Sequence, residues 1–292
     1  DNMANSNQQS RIIIGILLMI CCITLFSIKD AIAKQLSDTY PVIEILFFQY
    51  LVMMVIVLPI TVFKGNWNFY QQPNKISLLF RGFLGVSAVG LLFYSFSMIP
   101  LADATALIFV SPIVVTILSP YFLGEKVGLM SWLTTLVGFI GVLLIIQPGF
   151  ETFNVGTLVA LLSGILFGLY GIATRKLTFQ HRTEVMMLYT SLVGVFAVGV
   201  FLPFNWAMPV GLDWLVIVLV GLISSSGHAL MVLSYANAPA TIVTPFLYTS
   251  IIVATVLGYY VFGDFPNLVA WIGIIIIIAS GFYLGIRESS AQ

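Results

Sequence analysis

Two ionisable side chains, Arg81 and His228, stand inside long apolar stretches of this 292-residue sequence. A guanidinium presents five N–H donors in a planar fork, so Arg81 could grip a carboxylate or phosphate bidentately. Its i+4 and i+7 neighbours are Gly85 and Ala88, which share its face on a helix. Small residues in such a stripe usually pack against another helix or a cavity. The alternative for Arg81 is to snorkel out of the apolar stretch. His228 shares a helical face with Ser224, Met231 and Tyr235, and Ser225, Ser226 and Gly227 add polarity around it. Histidine titrates near neutrality, which suits a proton-responsive or substrate-contacting role; a hydrogen bond between helices is the bland alternative.

Lys29 and Asp30 fall late in the first apolar stretch, and Glu44 opens the second. Adjacent residues on a helix point about 100° apart, so Lys29 and Asp30 need not pair with each other. These three charges suit a gate that exchanges partners, or a solvated vestibule. Other chemistry is poorly served. A metal site needs more ligands than His228, and no metal or other cofactor is expected, since the second histidine, His181, falls in a loop. Gly221 and Ser224 have the wrong spacing for an intramembrane serine protease, and neither His-Glu-x-x-His nor a P-loop occurs, so an enzyme is not expected. Cys21 and Cys22 are neighbours in an apolar run and read as packing residues.

The elements that must hold these groups follow from composition. Hydrophobic residues make up 60% of the chain and charged residues 8%, with 11 basic against 11 acidic. A soluble domain is about 45–50% apolar and about 25% charged, so a soluble globule is excluded. The balanced charge leaves no footprint for nucleic acid. What remains is an all-α integral membrane protein. A bilayer core of about 30 Å takes about 20 apolar residues per helix. Ten stretches qualify, near 12–34, 41–63, 76–98, 101–123, 127–146, 154–176, 183–203, 212–236, 238–262 and 266–286. Their continuous apolar character excludes a β-barrel.

With ten spans both termini share a side. An inside N-terminus places Arg11, Lys64, Lys75, Arg81, Lys126, Arg175, Lys176, Arg182 and Arg287 at the cytoplasmic ends, against Lys29 and Lys34 outside. The positive-inside rule therefore predicts cytoplasmic termini; the expected location is a bacterial inner (plasma) membrane. Arg11, the run from Ile12 to Phe26 and Ala31-Ile32-Ala33 imitate a signal peptide, but Lys29 and Asp30 before the supposed site predict that the segment is retained.

A shift of 139 residues lays Pro100 on Pro239, Gly124 on Gly263, Glu125 on Asp264 and Trp132 on Trp271. The chain thus reads as two five-helix repeats, 1–149 and 150–292. An odd-numbered unit repeated in one chain must cross the membrane in opposite senses, which is the inverted-repeat arrangement of secondary transporters. Substrate sites there lie near the midplane between repeats.

The motifs are also specific. Leu101-Ala102-Asp103-Ala104-Thr105-Ala106-Leu107, Ser111-Pro112-Ile113, Leu123-Gly124-Glu125-Lys126, Trp132, Gly138-Phe139-Ile140-Gly141 and Gln147-Pro148-Gly149 resemble the fourth and fifth helices of an EamA-type domain of the drug/metabolite transporter superfamily. Ala238-Pro239-Ala240-Thr241, Pro245, Gly263-Asp264 and Trp271-Ile272-Gly273 resemble its second copy, with Gly263-Asp264-Phe265 where Gly-Glu-Lys would be typical. The resemblance implies ten helices, two EamA repeats and movement of small metabolites, usually outward. It places Tyr94, Phe109, Tyr170, Tyr235 and Tyr248 in cavity-forming helices.

The expected function is efflux of an amino acid or related carboxylate-bearing compound by alternating access. Arg81 would meet the carboxylate, the aromatics the side chain, and Ser224 and His228 would lie within reach, with Lys29, Asp30 and Glu44 as gating groups. Expected partners are a small-molecule substrate and the lipid bilayer, with a homodimer left open. Competing classes are a channel or receptor, for which no filter sequence occurs, and an intramembrane enzyme. Pro112 and Pro245 interrupt the fourth and ninth spans, either freeing carbonyls or making packed kinks.

Overall fold

The computed structural model describes residues 2–65, 68–95, 98–99, 101–148, 154–204, 206–262 and 267–290. Among these residues every regular element is helical. The first half contains α1 (Asn2–Ser37), α2 (Val42–Phe63), α3 (Lys75–Ser95), α4 (Leu101–Ile108), α5 (Ser111–Phe122) and α6 (Leu129–Ile146). The second half contains α7 (Val155–Leu177), α8 (Thr183–Gly199), α9 (Asp213–Asn237), α10 (Ala240–Val243), α11 (Thr249–Phe262) and α12 (Leu268–Ser290). Nine helical spans among the described residues are long and apolar enough to cross a membrane, and Leu268–Tyr283 within α12 is a shorter apolar helix. The chain is an integral, multi-pass membrane protein.

The fourth and ninth expected spans are each broken near a proline. Pro112 lies in the first turn of α5, where its missing N–H would have no helical partner anyway. Pro245 opens the 3₁₀ turn Thr244–Tyr248 between α10 and α11. Near each break a threonine hydroxyl bonds back along the chain to a carbonyl four residues earlier. Thr116 donates to the carbonyl of Pro112 at 2.8 Å, and Thr244 donates to that of Ala240. On α7, a Cβ at Gly164 would stand 2.6 Å from the Leu107 carbonyl, and one at Gly168 would stand 3.0 Å from that of Ser111. The missing side chains let α7 press directly onto the α4–α5 break, so this interruption is a packed kink.

The main helix pairs join the two halves: α1 with α9, α3 with α7, α2 with α8, and α6 with α12. Lipid tails are as apolar as leucine, so close packing rather than the hydrophobic effect selects these partners. The largest buried cluster lies where α1, α5, α7, α9 and α10 converge, around Met19, Cys22, Val115, Tyr170, Met231, Tyr235 and Val243. Lys64, Arg175 and Arg182 mark one end of the bundle, called the basic end below.

Candidate functional site

Arg81 sits on the buried stripe of α3 with Leu78, Leu84, Gly85 and Ala88, and is itself 1% exposed. Four hydrogen bonds hold its guanidinium. Nε donates to Thr174 Oγ1 at 2.8 Å, Nη1 to Thr190 Oγ1 at 2.6 Å and to the Met186 carbonyl at 3.1 Å, and Nη2 to the Tyr170 hydroxyl at 2.9 Å. Thr174 and Tyr170 are one turn apart on α7, and Met186 and Thr190 one turn apart on α8. Each threonine hydroxyl donates to its own helix, Thr174 to the Tyr170 carbonyl at 2.7 Å and Thr190 to the Met186 carbonyl at 3.0 Å. Their free lone pairs are therefore aimed at Arg81.

This cradle satisfies donors but supplies no charge. Among the described residues, Arg81 takes part in no ion pair. With five N–H groups and four acceptors, one Nη2 hydrogen remains, and beside it the Tyr170 hydroxyl still has a proton to give. A lone cation in a low-dielectric interior is costly, so this geometry is suited to an anion that accepts both donors. Burial also removes the snorkelling alternative.

A second cluster joins α1 to α9. The Phe26 ring meets the His228 ring edge-on, centroids 5.0 Å apart, and Lys29 Nζ lies 5.5 Å from the Phe26 ring centroid. His228 Nδ1 is 3.0 Å from the Ser224 carbonyl. A carbonyl only accepts, so Nδ1 carries the proton and Nε2 is left as an acceptor. Ser224 Oγ and the Tyr248 hydroxyl are buried without a partner among the described residues. Tyr248 packs edge-on against Phe109, centroids 6.0 Å apart, and buried Tyr235 sets its hydroxyl against Gly171 of α7. Tyr94 is 57% exposed, about 20 Å along α3 from Arg81 at ~1.5 Å per residue. The structure thus groups Arg81 with Tyr170, Ser224 with His228, and Phe109 with Tyr248, and sets Tyr94 apart.

At the end opposite the basic one, Lys29, Asp30 and Glu44 all have partners. Lys29 Nζ lies 2.6 Å from Asp30 Oδ1, because the long lysine stem reaches round the ~100° between them. Glu44 is fully buried and bridges the halves, with Oε2 accepting from Ala207 N at 2.9 Å. Beside it the Tyr40 hydroxyl donates to Asp213 Oδ2 at 2.6 Å, a bond that raises the Tyr40 pKa above the usual phenol value.

A network at the basic end escaped the sequence reading. Arg175, the residue after Thr174, donates from Nε to Glu125 Oε1 at 2.9 Å and from Nη1 to the Tyr235 carbonyl at 2.6 Å. Glu125 also accepts from Ala240 N at 3.2 Å and Thr241 N at 3.5 Å, at the start of α10. Ser234 donates to the Gly15 carbonyl at 2.6 Å. In the sequence Arg175 is legible as a charge at a cytoplasmic helix end and Glu125 as the acid of a turn, without the contact between them. The signal that could have found Glu125 is its place in the repeated Gly-acid turn. No group of three or more His, Cys, Asp or Glu that could hold a metal occurs among the described residues.

The site is thus a bundle of apolar helices around a buried guanidinium that pairs with no carboxylate among the described residues, with polar ties at both ends. The chain belongs to the EamA-like transporter family, whose model matches residues 13–147 and 154–285. It is 25% identical over 280 residues to the S-adenosylmethionine uptake transporter of Rickettsia bellii, covering 96% of each chain. It is 27% identical to the pseudopaline exporter CntI of Pseudomonas aeruginosa, covering 91% of this chain and 94% of that one. A crystal structure that is 18% identical shares the fold over 95% of this chain and 98% of that chain, with a TM-score of 0.78.

Proposed function

We propose that this membrane transporter is a secondary carrier that exports an amino acid or related carboxylate-bearing metabolite by alternating access. The observation that carries the reading is the buried Arg81 guanidinium, complete in its donors but for one and, among the described residues, lacking a carboxylate partner. Substrate carboxylate would accept from the free Nη2–H and the Tyr170 O–H. The remainder of the substrate would extend along α9 towards His228 and Phe26, where Nε2 accepts a proton or a donor. The two-fold pattern of pairing across the halves supports two inverted repeats, 1–149 and 150–292, since exchanging the halves maps α1–α9 onto α7–α3 and maps α2–α8 and α6–α12 onto themselves. With cytoplasmic termini, Glu125–Arg175 closes the inner end, while Lys29, Asp30 and Glu44 serve the outer one. Relatives named for uptake and for export differ in direction, so net direction follows the gradients the cell maintains.

The test is flux in proteoliposomes with a panel of radiolabelled amino acids and organic acids. Saturable, counterflow-competent movement of a carboxylate-bearing solute is expected. Movement confined to neutral or cationic solutes, or sustained single-channel current in a planar bilayer, would contradict the reading.

A further inference from the structure

A groove of about 810 Å³ runs down the outside of the bundle between the end of α2, the α7–α8 turn with the start of α8, and the outer face of α9. It lies apart from Arg81 and His228 and plays no part in the transport site. Its walls are aliphatic, with Ile56, Ile60, Leu222 and Leu233 facing the bilayer side. From Leu222 to Ala236 the α9 wall is about 21 Å long at ~1.5 Å per residue, more than the ~15 Å half-thickness of the hydrocarbon core. Ser225 and Ser226 also line it, but their hydroxyls donate to the Gly221 and Leu222 carbonyls of their own helix. The wall therefore makes no polar demand on its occupant.

The rim at the basic end is different. Lys64 and Arg182 flank Glu184, with nitrogen–oxygen distances of 3.8 and 3.9 Å. Two cations against one acid leave a net positive rim. Their side chains are 57% and 64% exposed, while that of Glu184 is 10% exposed. Beside them His181 is only 8% exposed, and neither ring nitrogen has a hydrogen-bond partner among the described residues. Both nitrogens are closed off from the groove, so His181 meets it only through its remaining ring atoms. Burial lowers the His181 pKa, so the positive charge of the rim comes from Lys64 and Arg182.

We infer that the groove is a binding site for one anionic phospholipid of the leaflet at the basic end. The phosphate lies between Lys64 and Arg182, which screen it from Glu184. One acyl chain fills the aliphatic wall. A soluble anion would leave that wall unfilled, and a zwitterionic lipid would bring a third cation to an already positive rim. Since α8 also supplies Met186 and Thr190 to Arg81, the lipid would brace the helix that holds the transport site.

The test is native mass spectrometry of the full chain released from micelles containing equal phosphatidylglycerol and phosphatidylcholine. Retention of phosphatidylglycerol is expected to exceed that of phosphatidylcholine by roughly tenfold, as two basic residues at an anionic surface imply. A double variant, Lys64→Gln with Arg182→Gln, should lose most of that preference, whereas Lys126→Gln should keep it. Ala229→Phe, which fills the groove and leaves the rim intact, should lower retention of both lipids. Glycerol phosphate should not compete. Equal retention of the two lipids by the wild-type chain, an unchanged preference in the double variant, or competition by glycerol phosphate would each overturn the inference.

Discussion

Thr174 and Thr190 determine what Arg81 can offer, because each spends its own proton on its helix and turns an acceptor towards the guanidinium. Replacing either by valine keeps the shape and strands a buried charged donor, at a cost of about 1–3 kcal/mol. A lower melting temperature in detergent is expected, with the larger loss of flux for Thr174→Val, which also shifts the α7 turn carrying Tyr170. Arg81→Lys keeps the charge and loses the fork, so flux should fall at least about tenfold while expression and monodispersity survive. A further prediction concerns pH. Burial lowers the folded-state pKa of His181 below its ordinary value, so the unfolded chain takes up that proton first as pH falls. The His181 contribution to stability is full above the unfolded pKa of about 6.5 and declines below it. Melting curves from pH 7.5 to 5.5 should therefore fall more steeply for the wild type than for His181→Phe. Parallel curves would remove this account of the side chain.

At the scale of the element, the α4–α5 break shows how far a sequence can be read. Pro112 announces an interruption, and the interruption is there. Whether it would open onto a cavity or close onto a neighbour depends on α7, about fifty residues further on, where Gly164 and Gly168 admit the Leu107 and Ser111 carbonyls. Gly164→Ala should push α7 off the kink at a cost of about 1–3 kcal/mol, with reduced yield of folded protein on size exclusion. Spans and helix type were legible because about 20 apolar residues in a row leave few alternatives. Arg81 and His228 were legible because charge is scarce in such spans. Their cradles were not, since Thr174, Thr190 and Phe26 are common residue types whose role arises only when distant helices meet. Helical geometry alone left the pairing of Lys29 with Asp30 open, and the reach of the lysine stem decides it.

Across the whole molecule, the polar ties sort into two layers with Arg81 and His228 between them. At one end Glu44 and Tyr40 of the first half hold Ala207, Val210 and Asp213 of the second. At the other, Glu125 of the first half holds Arg175 and the start of α10. A carrier needs one such layer to open while the other stays shut. Glu125→Gln keeps the shape and removes the ion pair, so the basic end should open more often. With Cys21 and Cys22 replaced by alanine, a cysteine at buried Ser234 should then react several-fold faster with a maleimide reagent than in the Glu125 background. An unchanged rate would mean that this end is a fixed seam.

The anion site is the claim on which the rest depends, and ligand-linked thermal stability tests it most directly. Purified wild type, Arg81→Lys and Lys126→Gln would be melted with and without each member of a panel of amino acids, organic acids and their uncharged amides. A shift is expected with at least one carboxylate-bearing compound and not with its amide, kept in Lys126→Gln and lost in Arg81→Lys. An equal shift for acid and amide, or one that survives in Arg81→Lys, would contradict the account.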